Sequence, residues 1–222
     1  MTGARKLVAE ALGTALLVAA VIGSGVTAHQ LAKDPALALL CNTLATAGAL
    51  VAILLAFGPI SGAHLNPAVT ICAAVARELR PAVAAGYVAA QLAGGVAGAV
   101  LANAMFDLDL VTTSTTVRAG FPKLLSEAVA TFGLIGVVRC VAPPRAAFAV
   151  AAYIAAAYWF TASTSFANPA ATIGRTLTDS YAGIRPADAI GFIAAQGVGA
   201  ALGMIVFAWL VPRFDHGRGS IT

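Results

Sequence analysis

Two copies of the tripeptide Asn-Pro-Ala constrain this chain more than any other feature, because both lie inside long apolar stretches. They are Asn66-Pro67-Ala68 and, 102 positions later, Asn168-Pro169-Ala170. In each copy the Asn side-chain oxygen can accept a hydrogen bond from a free backbone N–H, and Pro fits the first position of a helix. Each copy therefore predicts the start of a helix. A helix that begins inside a membrane needs protein or a water-filled cavity around its open end.

Composition places these stretches in a membrane. Hydrophobic residues make up 60% of the 222 residues and charged residues 10%, whereas soluble domains carry about 25% charged residues. Runs such as 36–59 and 191–211 are too apolar for the core of a soluble helical protein. The net charge of +4 comes from basic residues scattered near the ends of these runs. We therefore expect the chain to lie in a lipid bilayer and to have no nucleic-acid partner.

The apolar stretches predict an all-α membrane protein with six spans and two short segments in a single domain, 1–222. A span needs about 20 residues. The predicted spans are about 5–28, 36–57, 81–105, 122–141, 146–161 and 186–211, and the short segments are 66–77 and 168–178. The polar stretch 106–121 is predicted to be a central loop, and 212–222 a polar tail.

The two halves of the chain repeat each other. Eight of twelve positions are identical between 80–91 and 185–196. A Glu-x-x-x-Thr pair, beginning at Glu10 and at Glu127, also occurs once in each half. Because three spans per half is an odd number, the second half must enter the membrane from the opposite side. The pattern predicts an inverted repeat of about 5–105 and 122–211, as in several channel and transporter folds.

The distribution of Lys and Arg predicts the orientation. With a cytoplasmic N-terminus, eight of these residues lie inside and five lie outside, which agrees with the rule that cytoplasmic loops are enriched in positive charge. We therefore expect both termini in the cytoplasm and the chain in the inner (plasma) membrane.

The short segments predict a pore. Each spans about twelve residues, or about 18 Å of helix, which is little more than half of a roughly 30 Å hydrocarbon core. Two such helices entering from opposite faces would meet N-terminus to N-terminus, and each end carries roughly half a positive charge. Cations and protons would be opposed there, whereas neutral molecules would not. The side-chain amides of Asn66 and Asn168 would point N–H groups into the pore.

We expect solutes to pass through the protein without any chemical reaction. The three cysteines lie in apolar segments, and no Cys/His cluster has the spacing of metal ligands. We therefore predict no metal, no cofactor and no enzymatic activity.

The stretch Ser61-Gly62-Ala63-His64-Leu65-Asn66-Pro67-Ala68-Val69-Thr70 closely resembles the first signature of the aquaporin (major intrinsic protein) family. The six-span inverted repeat, the second Asn-Pro-Ala and both Glu-x-x-x-Thr pairs also match. The resemblance implies a right-handed six-helix bundle with one pore per subunit, assembled as a homotetramer. It also implies that the backbone of Gly62, Ala63 and His64 lines the pore.

The chain departs from the family directly after the second motif. Most members continue Asn-Pro-Ala-Arg, and that Arg lines the narrowest constriction near the outer mouth, but here the position is Ala171. Spacing from the two asparagines transfers the other constriction positions to Thr46, Ala156 and Ser165. All four are small, so we expect a wide hole. The pattern resembles the aquaglyceroporin-like channels linked to bacterial arsenic resistance, which implies passage of glycerol-like polyols, arsenite as As(OH)3 and methylated arsenicals, with water.

Three residues near the second motif are candidates for an outer vestibule. Arg175 lies one helical turn beyond Ala171 and would replace the missing arginine there, unless it instead pairs with Asp179 four residues on. A ring from Phe160 or Phe166 would narrow the mouth, unless the aromatic cluster 158–160 is an interfacial belt.

Glu10 and Glu127 are carboxylates inside apolar spans, which in a membrane indicates function or pairing. We expect them to hold the loops before the two short helices by accepting backbone N–H bonds, with Gln91 and Gln196 hydrogen-bonded to the same loops. An ion-coupled secondary transporter would need these carboxylates to face the path of its substrate. The sequence is also compatible with a water-selective or glycerol channel that has no metalloid role, and with a structural membrane protein whose pore is closed.

Overall fold

The computed structural model describes residues 3–211, and within that range it contains helices and loops but no β-strand. The helices are α1 (Gly3–Leu31), α2 (Pro35–Ser61), α3 (Pro67–Val75), α4 (Pro81–Met105), α5 (Phe121–Cys140), α6 (Pro143–Phe160), α7 (Pro169–Gly174) and α8 (Pro186–Leu210). A 3₁₀ turn, Arg175–Leu177, continues α7. Six long helices and two short ones confirm the predicted fold class. The predicted tail, 212–222, lies outside the described residues.

Five of the long helices are long and apolar enough to cross a membrane, so the prediction of a multi-pass membrane protein is confirmed. The sixth, α6, has 18 residues and begins Pro143-Pro144-Arg145. These three polar or weakly apolar residues lower its mean hydropathy, although about 27 Å of helix is close to the thickness of the hydrocarbon core.

The long helices pack in two equivalent sets. In the first half α1 lies against α2 and α4, and in the second half α5 lies against α6 and α8. Contact between α2 and α6 joins the halves. Gly98 of α4 faces the carbonyl oxygen of Ala15 in α1, and Gly199 of α8 faces that of Ala128 in α5, so closely that a Cβ would collide in both places. These glycines allow the backbones to approach, as small residues do in membrane bundles.

The two short helices are shorter than the twelve residues predicted for each. Helix α3 has nine residues and α7 has six. Helix α3 ends because Arg77, just beyond it, adopts a left-handed conformation with φ 62°, and α7 ends because the chain tightens into the 3₁₀ turn at Arg175. Both starts are as predicted, at Pro67 and Pro169.

The central loop packs along the second half of the chain. The backbone N–H of Thr112 donates to the carbonyl of Leu177, and that of Ser114 donates to Thr176, so the loop runs beside the 3₁₀ turn. Farther along, Arg185 N–H donates to the carbonyl of Thr116. The loop therefore covers the end of α7 instead of only connecting the halves.

Candidate functional site

A cavity of about 610 Å³ runs between the two halves and is lined by residues of both Asn-Pro-Ala motifs. Its lining consists of apolar side chains, of loop segments and of three charged side chains, Glu78, Arg139 and Arg175. Apolar side chains come mainly from α1, α2, α5 and α6, and include Leu17, Val21, Leu50, Leu54, Leu134, Val138, Val150 and Ile154. The loops before α3 and α7 contribute 62–66 and 165–168, which include the predicted pore-lining residues Gly62, Ala63 and His64.

Asn66 and Asn168 cap the two short helices. The Oδ1 atom of Asn66 accepts from the N–H of Ala68 at 2.9 Å, and that of Asn168 accepts from Ala170 at 3.0 Å. Both asparagines have extended backbones, and Pro occupies the next position. The caps therefore follow the geometry that the tripeptides predict.

The same two asparagines also bind the halves together. Nδ2 of Asn66 donates to the carbonyl of Ala167, and Nδ2 of Asn168 donates to the carbonyl of Leu65, both at 2.8 Å. Each accepting carbonyl belongs to the residue directly before the other asparagine. The N-terminal ends of α3 and α7 are therefore held side by side. Each side-chain amide has two hydrogens, so one remains for a molecule in the cavity.

Glu10 holds the loop before α3. It is fully buried, and one carboxylate oxygen accepts from Ser61 Oγ at 2.6 Å and from His64 N–H at 3.0 Å. The other accepts from the N–H of Leu65 and from Nε2 of Gln91, both at 2.7 Å. The carboxylate therefore has four donors and does not line the cavity.

Glu127 repeats this arrangement in the second half. It accepts from Ser163 Oγ at 2.6 Å, from the N–H groups of Phe166 and Ala167 at 2.8 and 2.9 Å, and from Nε2 of Gln196 at 2.7 Å. Glu127 is also fully buried and lies away from the cavity.

The loops that these glutamates hold have an unusual backbone. Ala63 and Leu65 have φ values of 46° and 51°, and Ser165 and Ala167 have φ values of 50° and 46°. A left-handed residue other than Gly costs about 1–2 kcal/mol. The hydrogen bonds to the buried carboxylates offset this cost at the positions where the loop backbone must face the cavity.

Three of the four residues predicted for the constriction line the cavity, and one does not. Thr46, Ser165 and Ala171 are in the lining. Ala156 is exposed on the outer side of α6, so its assignment is wrong. Helix α6 faces the cavity through Val150, Ile154 and Tyr158, which are spaced by four residues, and position 156 is about 200° away from 154 and 158 on a helix.

Tyr158 occupies the place that the sequence assigned to Ala156. Its side chain is buried, and its Oη lies 3.2 Å from Oγ1 of Thr46 across the α2–α6 contact. The sequence pattern alone places Tyr158 in a belt of interfacial aromatics. The four-residue phase from Val150 through Ile154 is the signal that could have identified it.

Arg175 lies in the cavity lining and is buried. Its Nε donates to the carbonyl of Ala182, and its guanidinium stacks on the ring of Phe166, 3.3 Å from the centroid. The alternative salt bridge with Asp179 is wrong, since Asp179 instead accepts from Thr115 N–H at 2.9 Å.

The two aromatic candidates differ in position. Phe166 lines the cavity and packs edge-on against Phe192. Phe160 does not line it, since its ring is 56% exposed and contacts Tyr153 on the outer side of α6. The assignment of Phe160 to the vestibule is therefore wrong, because α6 turns it away from the cavity.

A second arginine approaches Phe166. The Cζ atom of Arg118, in the central loop, lies 5.1 Å from the ring centroid. Its Nε and Nη2 donate to the carbonyls of Gly183 and Tyr181 at 2.7 and 3.1 Å. Burial lowers the pKa of Arg118, because desolvation disfavours its charged form. Two guanidinium groups therefore lie near one end of the cavity, which we call the Arg175 end.

The described residues contain no group of three or more His, Cys, Asp or Glu side chains that could hold a metal ion. Cys72 lines the cavity, and none of the three cysteines forms a disulfide.

Comparison with known proteins agrees with this geometry. The family model described as "Major intrinsic protein" matches residues 1–146. The chain belongs to the major intrinsic protein family. It is 49% identical over 210 residues to "Aquaglyceroporin AqpS" of Rhizobium meliloti (strain 1021), covering 93% of this chain and 90% of that protein. It is 31% identical to "Aquaporin NIP2-1" of Oryza sativa subsp. japonica, covering 79% of this chain and 61% of that protein.

A solved structure shows the same fold. The aquaglyceroporin from Plasmodium falciparum superposes with a TM-score of 0.73 at 19% identity, covering 94% of this chain and 95% of that one. The family is one of membrane channels and not of enzymes. The chain is therefore a membrane channel of the aquaporin type for small solutes.

Proposed function

We propose that the protein is a passive pore for small uncharged solutes, namely glycerol-like polyols and arsenite as As(OH)3, together with water. The observation that carries this proposal is the cavity that both Asn-Pro-Ala motifs line and that contains Ala171 where most family members have arginine. Methylated arsenicals are included in the proposal, because a wide constriction would also admit them.

Exclusion of ions follows from the charges around the cavity. The N-terminal ends of α3 and α7 are joined through Asn66 and Asn168, and a helix N-terminus opposes positive charge. In aquaporin-type pores such half-helix ends exclude protons and cations. A neutral solute avoids both this repulsion and the large desolvation penalty of an ion.

The cavity suits a molecule with an apolar side and hydroxyl groups. A carbon chain can lie along the side chains of α1, α2 and α6, while hydroxyl groups meet the loop backbone and the free amide hydrogens of Asn66 and Asn168. Ser165 Oγ is buried in the lining and has no partner among the described residues, so it is also free to bond a solute. As(OH)3 is neutral and carries three hydroxyl groups, and it meets the same requirements.

Arg175 is proposed to take over part of the role of the missing arginine. It lies one turn beyond Ala171, so it does not narrow the pore at Ala171 and still places a positive charge in the cavity.

The assignment of Phe166 to the outer vestibule is part of this proposal, as are the other site assignments that the structure does not contradict. A single-domain chain, the cytoplasmic N-terminus, the inner membrane and a homotetramer are proposed on the sequence pattern and the family resemblance.

An ion-coupled transporter is less consistent with the structure. Glu10 and Glu127 are the carboxylates inside the spans, and each already has four hydrogen-bond donors away from the cavity. A carboxylate in that position has no path to the solute.

Proteoliposomes give the test. Water, glycerol and As(OH)3 permeability should be measured in the same vesicles, with empty vesicles as the baseline and with Ala171→Arg as the variant. We expect wild-type flux of all three well above the baseline. The added arginine should reduce glycerol and As(OH)3 flux by tenfold or more and reduce water flux less, because it narrows the constriction. Glycerol flux at the baseline would refute the proposal, and unchanged glycerol flux in Ala171→Arg would show that Ala171 does not set the width.

A further inference from the structure

The hydroxyl groups of Tyr158 and Thr46 form a pair in the wall of the cavity. They lie 3.2 Å apart, and the two residues are 4% and 2% exposed. The contact joins α2 to α6 between residues 112 positions apart in the chain. It is a tertiary contact between the two halves, located at the cavity, and the pattern of neither helix alone reveals it.

The hydroxyl of Thr46 is not used by its own helix. Two other buried threonines in the spans donate to the carbonyl four residues earlier, Thr14 to that of Glu10 and Thr43 to that of Leu39, both at 2.7 Å. Thr46 instead contacts Tyr158. A hydroxyl freed from its helix backbone and turned to a cavity is available for recognition.

The pair supplies the polar groups of an otherwise apolar wall. The lining residues of α2 and α6 in the described chain include Leu50, Leu54, Val150 and Ile154, with Thr46 and Tyr158 as the hydroxyl-bearing side chains. Two hydroxyls that share one hydrogen bond keep one O–H hydrogen and spare lone pairs. The pair can therefore donate to a solute and accept from it at the same point.

Further donors lie at the same end of the cavity. Arg175 interacts electrostatically with Tyr158. Its Nε donates to the carbonyl of Ala182, and the residue lines the cavity. Arg175 is 5% exposed, and the described residues contain no carboxylate within ion-pair distance of it. Ser165 adds a hydroxyl that has no partner within residues 3–211.

We propose that Tyr158, acting with Thr46, is the specificity-determining residue at the Arg175 end of the cavity. The ring of Tyr158 sets the width of the cavity on the α6 side, where the small residue Ala156 was predicted. The hydroxyl pair replaces water around a solute that carries neighbouring hydroxyl groups, such as a three-carbon polyol. This inference rests on the proposed function and names the side chains that select among the solutes of that pore.

Three variants separate width from hydrogen bonding. Tyr158→Phe keeps the ring and removes one hydroxyl, Thr46→Val keeps the shape and removes the other, and Tyr158→Ala opens the wall. Tyr153→Phe is the matched control, since this tyrosine lies on α6, donates to the carbonyls of Val129 and Ala130, and does not line the cavity. Water, glycerol and four- and five-carbon polyol permeability should be measured by stopped-flow light scattering in proteoliposomes.

We expect Tyr158→Phe and Thr46→Val to lower the glycerol-to-water permeability ratio about three- to tenfold, which is the effect of one lost hydrogen bond. Tyr158→Ala should raise the permeability of the longer polyols relative to glycerol, and Tyr153→Phe should match wild type. Water permeability above that of empty vesicles is the check, for every variant, that the pore is folded.

Two failures can be told apart. The first failure concerns this inference alone. It would be seen if the wild-type protein conducts glycerol, Tyr158→Phe changes the glycerol-to-water permeability ratio by less than twofold, and Tyr158→Ala gains no permeability to longer polyols. Wild-type glycerol flux at the level of empty vesicles would overturn the proposed function and this inference with it.

Discussion

Glu10 and Glu127 are the most fully bonded side chains of the cavity region. Each is fully buried and accepts four hydrogen bonds from its own half of the chain. Hydrogen bonds to a charged group contribute about 1.5–3 kcal/mol each in favourable cases. These carboxylates therefore hold the left-handed loop residues, and through them the caps of α3 and α7, in place.

Replacing one of these carboxylates should destabilise the fold. Glu127→Gln keeps the shape but turns one acceptor into an NH₂ group that faces other donors, so we expect a loss of about 3 kcal/mol or more in the free energy of unfolding. Thermal unfolding of the purified protein in detergent measures it. Glu78→Gln is the control, since that side chain is 62% exposed and its ion pair with Arg139 is a long one of 3.6 Å. Equal midpoints for the two variants would contradict the anchoring role.

The charge of Arg175 should act on ions more than on neutral solutes. Arg175→Gln removes a buried positive charge from the cavity lining, and two charges 4 Å apart at an effective dielectric constant of 20 interact by about 4 kcal/mol. We therefore expect at least a tenfold rise in monovalent cation leak, measured as the decay of a potassium gradient in proteoliposomes, with glycerol flux changed less than threefold.

A matched variant tests whether position matters in this experiment. Lys123 lines a separate groove that also contains Arg118, and it does not line the cavity. Lys123→Gln also removes one positive charge, and the cation leak of this variant should equal that of the wild-type protein. The same leak in both variants, high or low, would show that the location of Arg175 in the cavity has no special effect.

Single-residue assignments were predictable only where local geometry determines them. The caps at Asn66 and Asn168 follow from the preferences of Asn and Pro at a helix start. The assignment of Ala156 to the constriction was wrong, because counting along the chain does not give the rotation of α6 about its axis. That rotation depends on how α6 packs against α2 and α5. The stack of Arg175 on Phe166 also depends on the central loop and on 181–183, which are distant in sequence.

At the scale of helices, packing depends on glycines at defined positions. Gly199 of α8 faces the backbone of Ala128 in α5, whereas Gly197, two residues earlier on the same helix, has no atom within 4 Å of an added Cβ. Both glycines are small enough to permit close packing in a membrane bundle, but only Gly199 lies at a close approach. The two positions face different sides of α8, because two residues correspond to about 200° of rotation.

These two glycines form a matched pair for a stability experiment. Gly199→Ala should lower the free energy of unfolding by about 1–3 kcal/mol, because the helices must move apart. Gly197→Ala should be neutral or stabilising by up to about 1 kcal/mol, because Ala favours a helix over Gly. Thermal unfolding in detergent measures both, and a larger loss for Gly197→Ala would contradict the packing described for α5 and α8.

Helix starts were more predictable than helix ends. Within residues 3–211, most helices begin at a proline, which suits the first helical position; these starts are Pro35, Pro67, Pro81, Pro143, Pro169 and Pro186. The short helices end earlier than predicted, at Val75 and Gly174. These ends are set by the left-handed Arg77 and by the 3₁₀ turn against the central loop, and neither has a strong local signal.

At the scale of the whole molecule, the two halves exchange a symmetric pair of hydrogen bonds at the two asparagines. The bond from Asn66 to the carbonyl of Ala167 and the bond from Asn168 to the carbonyl of Leu65 are equivalent under exchange of the halves. The repeat in the sequence predicted this pairing of segments, because an odd number of spans per half inverts the second copy. The asymmetry of the cavity was predicted only in part, since the sequence indicated Arg175 and Phe166 beside the second motif but not Tyr158. Tyr158, Arg175 and Phe166 all belong to the second half.

A passive pore needs an open path and no side chain that acts as a carrier. Glu10 and Glu127 lie outside the lining. The lining does include the carboxylate of Glu78, which is 62% exposed and lies 3.6 Å from Arg139, also in the lining. The rest of the described lining, apart from Arg175, provides hydrogen bonds and apolar surface for a neutral molecule. Flux through such a path should rise in proportion to the solute gradient, and it should not depend on ions moving with the solute.

Glycerol flux in proteoliposomes, measured against glycerol concentration with and without an imposed proton or sodium gradient, tests the passive pore most directly. We expect flux that rises linearly through high glycerol concentrations and is the same under every ion gradient. Flux that saturates at low concentration and changes with the proton or sodium gradient would contradict the passive pore, and would identify a coupled transporter instead.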